Sequence, residues 1–466
     1  MPLRRLLASA LSRMRWRGLV GDADNSPRGA GLLIDLMKLL RPGMQIKRWV
    51  LLLAVGVVLL SLGLAYILVH LYRSQPFPEV AGVVTLQFID RPVRGVLFIA
   101  IGLAFGVVAV LRLHQSLLAA FVGRRDGKVV QTIYNYRARQ RGPKVVVIGG
   151  GTGLSTALRG LKACTSNLTA VVTVADDGGS SGRLRRELGV LPPGDFRNCM
   201  VALADSEPLM ENLFQYRFNH GSALEGHSFG NLFIVAMSEV TGNFERALQE
   251  SSRVLAVRGR VLPSTLADLT LCAEMDDAGT VLGESKITLS GKTIRRVYLQ
   301  PGNAPACPEA VQAIEEADLV IVGPGSLYTS VLPNLLVGGI GEALLRSPAL
   351  KVYVCNVATQ PGETDGYSIG DHFEALLRHL PDSETTFHCV LANSRMGLTM
   401  PASGRVAPVR PDGHAAGSFE RLIVLADVVD ETNAVRHDST KLADALMRLY
   451  EDRGAVGARG QAPVHA

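Results

Sequence analysis

The residues best suited to chemistry sit in glycine-rich turns that follow short apolar runs. Gly149-Gly150-Gly151-Thr152-Gly153 comes directly after KVVVI and before Leu154, Ala157, Leu158 and Leu161, which share one helical face. Glycines let a backbone approach an anion without Cβ interference, and a helix start offers free N–H groups. The same turn also serves simply to pack a helix on a strand, and neither GK[ST] nor a strict GxGxxG accompanies it. A second turn, Asp176-Asp177-Gly178-Gly179-Ser180-Ser181-Gly182-Arg183, opens on paired carboxylates. Such a pair suits ribose hydroxyls, a Mg²⁺ ion held through oxygens, or an Asx turn. Pro192-Pro193-Gly194-Asp195-Phe196-Arg197-Asn198 presents an acid, a guanidinium and an amide together, a set for a metal or a phosphate.

Three further segments repeat the theme. Gly226-His227-Ser228-Phe229-Gly230-Asn231 precedes an apolar helical pattern, where Ser228 and Asn231 fit a helix cap as well as a ligand contact. After LVIV comes Gly323-Pro324-Gly325-Ser326-Leu327-Tyr328-Thr329-Ser330, a second candidate phosphate turn. After VYVC comes Cys355-Asn356-Val357-Ala358-Thr359-Gln360-Pro361-Gly362-Glu363-Thr364, whose amides suit a base or a sugar. Near the end stands Arg436-His437-Asp438, where the guanidinium matches either a diphosphate or a surface acid. Among these residues Asp177 and Asp195 are the candidate metal ligands, with Mg²⁺ the candidate cofactor.

Positioning so many turns at one margin requires a parallel sheet. The runs KVVVI, AVVTVA, LVIV, VYVC, CVLA and LIVLA are short, apolar and β-branched, as strands buried on both faces are. Helical patterns alternate with most of them, which predicts a doubly wound α/β fold with its ligand crevice at the carboxyl ends of the strands. Residues 208–255 predict a helical cap, and residues 269–299 predict antiparallel strands around Asp276-Asp277-Ala278-Gly279. The stretch from Asp452 onward has no periodicity and is expected to be disordered. The organisation expected is a basic segment 1–48, a membrane hairpin 49–113, a basic connector 114–143, a nucleotide-sugar-binding domain 144–450 and a tail 451–466.

The hairpin rests on composition. At 47% hydrophobic and 19% charged residues the chain is too apolar to be disordered. Net charge is +15 over residues 1–144 and −9 over the remainder. Trp49 to Tyr72 has no Lys, Arg, Asp or Glu, Val93 to Leu113 carries Arg only at its edges, and basic residues flank both. Two spans with both ends cytoplasmic are therefore expected, membrane lipid is preferred to nucleic acid as partner of the basic residues, and Leu3 to Arg17 reads as an interfacial helix or a solvated basic tail. The six cysteines are never closer than 34 positions, which excludes a CxxC metal knuckle and a dense disulfide framework.

The ordered blocks VVVIGGGTGLS, VTVADDGGSSGRLR, PPGDFRN, GHSFGN, GPGSLYTSVLPNLLV, VCNVATQPGET and VVDETNAVRHD resemble the gluconeogenesis factor family, within the wider group similar to 2-phospho-L-lactate transferase. The resemblance covers roughly Lys144 to Tyr450. It implies a modified Rossmann-like fold that binds UDP-sugars such as UDP-N-acetylglucosamine or UDP-glucose, with a role in carbon flux to the cell wall and in cell shape. The ligand set it implies here is Gly149, Gly150, Gly151, Thr152, Gly153, Asp176, Asp177, Gly178, Arg197, Asn198, Asn231, Gly323, Gly325, Ser326, Tyr328, Asn356, Thr359 and Arg436. Arg395 to Ser418, rich in Gly, Pro and Ala, departs from the charged helix of that family and leaves its ligand contacts unassigned. The resemblance allows a regulator of a hexosamine-synthesis enzyme, working as a homo-oligomer at the inner face of the cytoplasmic membrane. Two other classes stay open: a Mg²⁺-dependent phospho-acyl transferase with a guanosine diphosphate donor, and a shape-determining scaffold with a vestigial nucleotide fold.

Overall fold

The computed structural model describes residues 46–74, 86, 88–121, 139–205, 208–220, 223–380, 386–397, 400, 406–411 and 422–459. The basic segment ahead of residue 46, most of the connector and the residues after 459 lie outside them. The chain divides into two compact units, Met1–Tyr136 and Arg137–Ala466.

The first unit contains helices Ile46–Ser74 and Arg91–Phe121. Side chains such as Leu60, Tyr66, Ile99 and Phe105 are exposed on them. Among the described residues, no helix is long and apolar enough to cross a membrane. The expected transmembrane hairpin and the placement in the cytoplasmic membrane are thereby corrected; the uncharged runs predict helix, and helix is what forms there.

In the second unit seven strands form one parallel sheet: β1 Val145–Gly149, β2 Leu168–Val172, β3 Arg260–Pro263, β7 Leu319–Val322, β8 Leu350–Val354, β9 Cys389–Asn393 and β10 Ile423–Ala426. Every residue of β1, β2, β7, β8 and β9 is buried, which is why these strands read as unbroken apolar runs. The spatial order is β3-β2-β1-β7-β8-β9-β10, with Val147 level with Ala170 on one side and Ile321 on the other. From β1 the chain steps toward β2 and β3, and from β7 it steps the opposite way. The order therefore reverses between β1 and β7, the place where open α/β sheets leave a crevice at their carboxyl ends.

A three-stranded antiparallel sheet holds β4 Thr270–Met275 between β5 Thr280–Leu282 and β6 Ile294–Gln300. Its first turn closes by Met275 N donating to Gly279 O at 2.9 Å and Gly279 N to Asp277 Oδ1 at 3.1 Å, as the Asp-Asp-Ala-Gly signal predicts. Helices Pro208–Gln215, Phe229–Thr241 and Phe244–Val254 make up the expected helical stretch. Phe214, Phe229 and Phe233 meet edge to face or tilted between its first two members.

Two elements escape the sequence pattern. β3 was hidden because RVLP is four residues long and ends in a proline, a residue confined to sheet edges. The last helix, Ser439–Arg459, passes Tyr450 and takes in the first part of the tail expected to be disordered. Leu442, Ala443, Leu446 and Met447 are its buried stripe, and helix continues beyond them. This helix packs so closely on helix Gly151–Leu161 that a Cβ at Gly160 would lie 1.8 Å from Ser439 O and 2.9 Å from Ala443 Cβ. Gly160→Ala should force the helices apart and cost about 1–3 kcal/mol, visible as a lower urea midpoint for the full chain.

Candidate functional site

β1 ends on Gly149, and Gly150 caps the helix Gly151–Leu161 with extended backbone and no side-chain hydrogen bond, so the helix start keeps donors free. Gly151 has φ +64°, a left-handed conformation that favours glycine. A Cβ at Gly153 would fall 2.5 Å from Pro324 O, so the turns after β1 and β7 meet backbone to backbone. Asn334 Nδ2 donates to Gly149 O at 2.9 Å and to Ser330 O at 2.8 Å, tying the same two turns from below.

The turn after β8 is laced to them. Asn356 Oδ1 accepts from Gly325 N at 3.2 Å while its Nδ2 donates to Gly325 O at 2.8 Å. Gln360 Nε2 donates to Ser326 Oγ at 2.6 Å, and Thr359 exchanges hydrogen bonds with the Ala407 backbone. Around these turns opens a cleft of about 310 Å³, lined by residues 150–153, 324–326, 356–361, 436 and 437 together with Thr156, Ser330, Val406 and Val435. Its size is at the small end of the range for ligand sites. Arg436 stands exposed at this cleft with no ion pair among the described residues.

Carboxyl groups gather behind the glycine turn. Asp195 Oδ2 accepts from Gly151 N at 2.7 Å. Burial, reinforced by the negative charge of Asp176, pushes its pKa up to about 6. Asp176, also raised by burial, accepts from Gly178 N at 2.9 Å. Asp177 turns toward the small sheet, where its Oδ1 accepts from Ser285 N at 2.8 Å and its Oδ2 crowds Gly283. Glu284, which starts helix Glu284–Leu289, is pushed up to about 8, first by burial and then by the charges of Asp176 and Asp177. Glu363 Oε1 accepts from Thr288 and Thr329 hydroxyls at 3.1 and 2.9 Å, and its buried Oε2 has no partner.

Of the expected metal pair, Asp177 gives one oxygen to Ser285 N and Asp195 one to Gly151 N, and the charges that act on Asp195 are Asp176 and Arg197. Among the described residues, three ligand atoms converge within 4.8 Å only at Glu245, Cys307 and Glu309, which do not line the cleft.

Of the sequence-derived set, Gly150, Gly151, Thr152, Gly153, Gly325, Ser326, Asn356, Thr359 and Arg436 line the cleft. Gly149 and Gly323 lie one residue behind it as the buried ends of their strands. Asp176, Asp177 and Gly178 belong to the carboxyl group. Arg197, Asn198 and Asn231 are brought together elsewhere, under the helical cap. Arg197, buried, donates to Ser228 Oγ and to Asn198 Oδ1, and Asn231 donates to Ser180 Oγ, which also bonds His227. Tyr328 points into the core, where its hydroxyl meets Tyr367 at 2.9 Å. Sequence reasoning placed His437, Gln360 and Ser330 in candidate turns but left them out of the ligand set, and it passed over Glu284 of the carboxyl cluster. His437 had a signal in its neighbour Arg436; Glu284 had none, because Asp176 and Asp177, whose charges act on it, lie more than a hundred positions away in the chain.

Residues 145–428 match the family model of 2-phospho-L-lactate transferase CofD. A gluconeogenesis factor from Bacillus subtilis (strain 168) is 48% identical over 321 residues, 66% of this chain and 99% of the relative. A relative of the gluconeogenesis-factor description from Nostoc sp. (strain PCC 7120) is 47% identical over 427 residues, 89% of this chain and 92% of its own. The crystal structure of a Bacillus halodurans protein superimposes with a TM-score of 0.63 at 47% identity, covering 66% of this chain and all of that one.

Glu284 yields a prediction about stability. Its carboxyl holds a proton in the fold up to about pH 8 but loses it near 4.5 when unfolded. The folded state therefore binds more protons between those values, and stability falls as pH rises through that window. The slope approaches about 1.4 kcal/mol per pH unit. Glu284→Gln should flatten the decline, so urea midpoints at pH 5 and pH 8 should differ less than in the unaltered chain.

Proposed function

This chain belongs to the 2-phospho-L-lactate transferase CofD family, alongside its gluconeogenesis factors, and we propose that it binds a UDP-sugar to regulate carbon flux to cell-wall precursors and cell shape. The ligand is UDP-N-acetylglucosamine or UDP-glucose, and the signal passes to a hexosamine-synthesis enzyme. The observation that carries this reading is the cleft where the order of strands reverses. The start of helix Gly151–Leu161 lines it, with the Gly151 N–H held by Asp195, and so does Arg436, which has no ion pair among the described residues. Backbone N–H groups at a helix start and a guanidinium are complementary to a pyrophosphate.

A second reading has one observation in its favour. Asp195, with a pKa near neutrality, touches the helix start through Gly151 N, and an acid in that position is suited to moving a proton. This is the transferase reading, with a guanosine diphosphate donor and Mg²⁺ supplied with the substrate.

Titration of the full chain with UDP-N-acetylglucosamine, UDP-glucose and GDP, each with and without Mg²⁺, separates the two. The expected result is micromolar UDP-sugar binding without turnover and no preference for GDP. Arg436→Ala should weaken that binding by about ten- to a hundredfold, the loss of one charge-assisted contact to a phosphate. Tight GDP binding with product formation would establish the transferase instead.

A further inference from the structure

The polar groups that the sequence offers for reading a base are already committed within the protein. Both ends of the Asn356 amide hold Gly325, the Gln360 amide holds Ser326, and the Thr359 hydroxyl holds the Ala407 backbone. Each has only part of its hydrogen-bonding capacity left for a ligand.

His437 differs. It lines the same cleft, is 7% exposed, and its Nε2 has no hydrogen-bond partner among the described residues. An antiparallel bridge to Val429 fixes its backbone, and the Cys355 carbonyl supports the ring's other nitrogen. Burial pushes its pKa down to about 4, so the ring is neutral at ordinary pH. With the carbonyl taking the proton-bearing nitrogen, Nε2 is an acceptor only. A buried acceptor without a partner is unfavourable in the empty protein and is satisfied when a donor arrives. The cleft wall near it is apolar, formed by Val357, Ala358, Val406 and Val435. Such a wall suits the flat face of a base better than a hydroxyl-rich sugar.

We propose that His437 is the base-selecting residue of the cleft, its Nε2 accepting the ring imide N–H of uracil. Cytosine and adenine carry a lone pair at the corresponding ring nitrogen and would set acceptor against acceptor. The inference rests on the sugar-nucleotide reading of the cleft, with Arg436 and the glycine turn holding the pyrophosphate while His437 reads the base.

The test measures affinities of the full chain for three probes: uridine diphosphate, its N3-methyl derivative and cytidine diphosphate. The unaltered chain should bind uridine diphosphate about tenfold more tightly than the other two, the worth of one hydrogen bond. His437→Phe, which keeps a ring and removes the acceptor, should bind uridine diphosphate and the N3-methyl probe within about twofold of each other. Arg436→Ala should weaken all three alike and keep their ratios. Equal binding of uridine diphosphate and the N3-methyl probe by the unaltered chain overturns the assignment, and that measurement needs no variant to fold. So does an undiminished preference in His437→Phe. Failure of the unaltered chain to bind uridine diphosphate at all would instead refute the sugar-nucleotide reading itself.

Discussion

The arrangement depends on two glycine turns that touch backbone to backbone where the order of strands reverses. Gly153 lies against the Pro324 carbonyl so closely that no Cβ fits, and Asn334 pins Gly149 and Ser330 from beneath. Because β1 and β7 are hydrogen-bonded neighbours, their following turns leave the sheet side by side. Turns free of side chains at that junction keep the start of helix Gly151–Leu161 open instead of filling it. The Gly325–Asn356 and Ser326–Gln360 contacts extend the same construction to β8. A side chain inserted at the junction would spread the turns and close the cleft at once.

Much of this was legible in the sequence for a physical reason. Strands buried on both faces must be apolar throughout, so VVVIG, LVIV and LKVYV announce themselves, and glycine-rich turns after the first two mark strand ends at the margin. Contacts between distant parts of the chain were not legible. Asp177 meets Ser285 across 108 positions, so a carboxylate that reads as a ligand instead docks the small sheet. Tyr328 belongs to a loop of ligand-like composition, yet a single π-helical turn, Leu327–Val331, directs it into the core. Asn356 was rightly placed at the cleft while its amide serves the neighbouring turn. In the first unit the uncharged runs predicted helices correctly and membrane spans incorrectly.

The site consequently has two faces of opposite character. On the side of β1, β7 and β8 the amides of Asn356 and Gln360 hold neighbouring turns, while backbone donors, Arg436 and the Nε2 of His437 keep spare capacity. Those are the groups expected of a site that holds an anionic ligand and discriminates its base. On the side of β2, acids from three separate segments are packed together with burial favouring their protonated forms. Asp177 Oδ1 and Asp195 Oδ2 are each held by a backbone N–H group, and the bond to Ser285 also docks the small sheet.

Asp195 touches both faces, since it bonds the helix start through Gly151 N and is repelled by Asp176. An anion settling on that helix start meets a carboxyl group already occupying one of its donors. If Asp195 is protonated the two can coexist, because a carboxylic acid donates to a phosphate oxygen; if it is ionised they repel. A binding protein and a transferase would use this residue differently. The former needs only that the acid yield to the ligand, whereas the latter needs its proton to move during the reaction. The same geometry therefore underlies both functional readings, and what separates them is whether a proton leaves Asp195 during turnover or only rearranges when the ligand arrives.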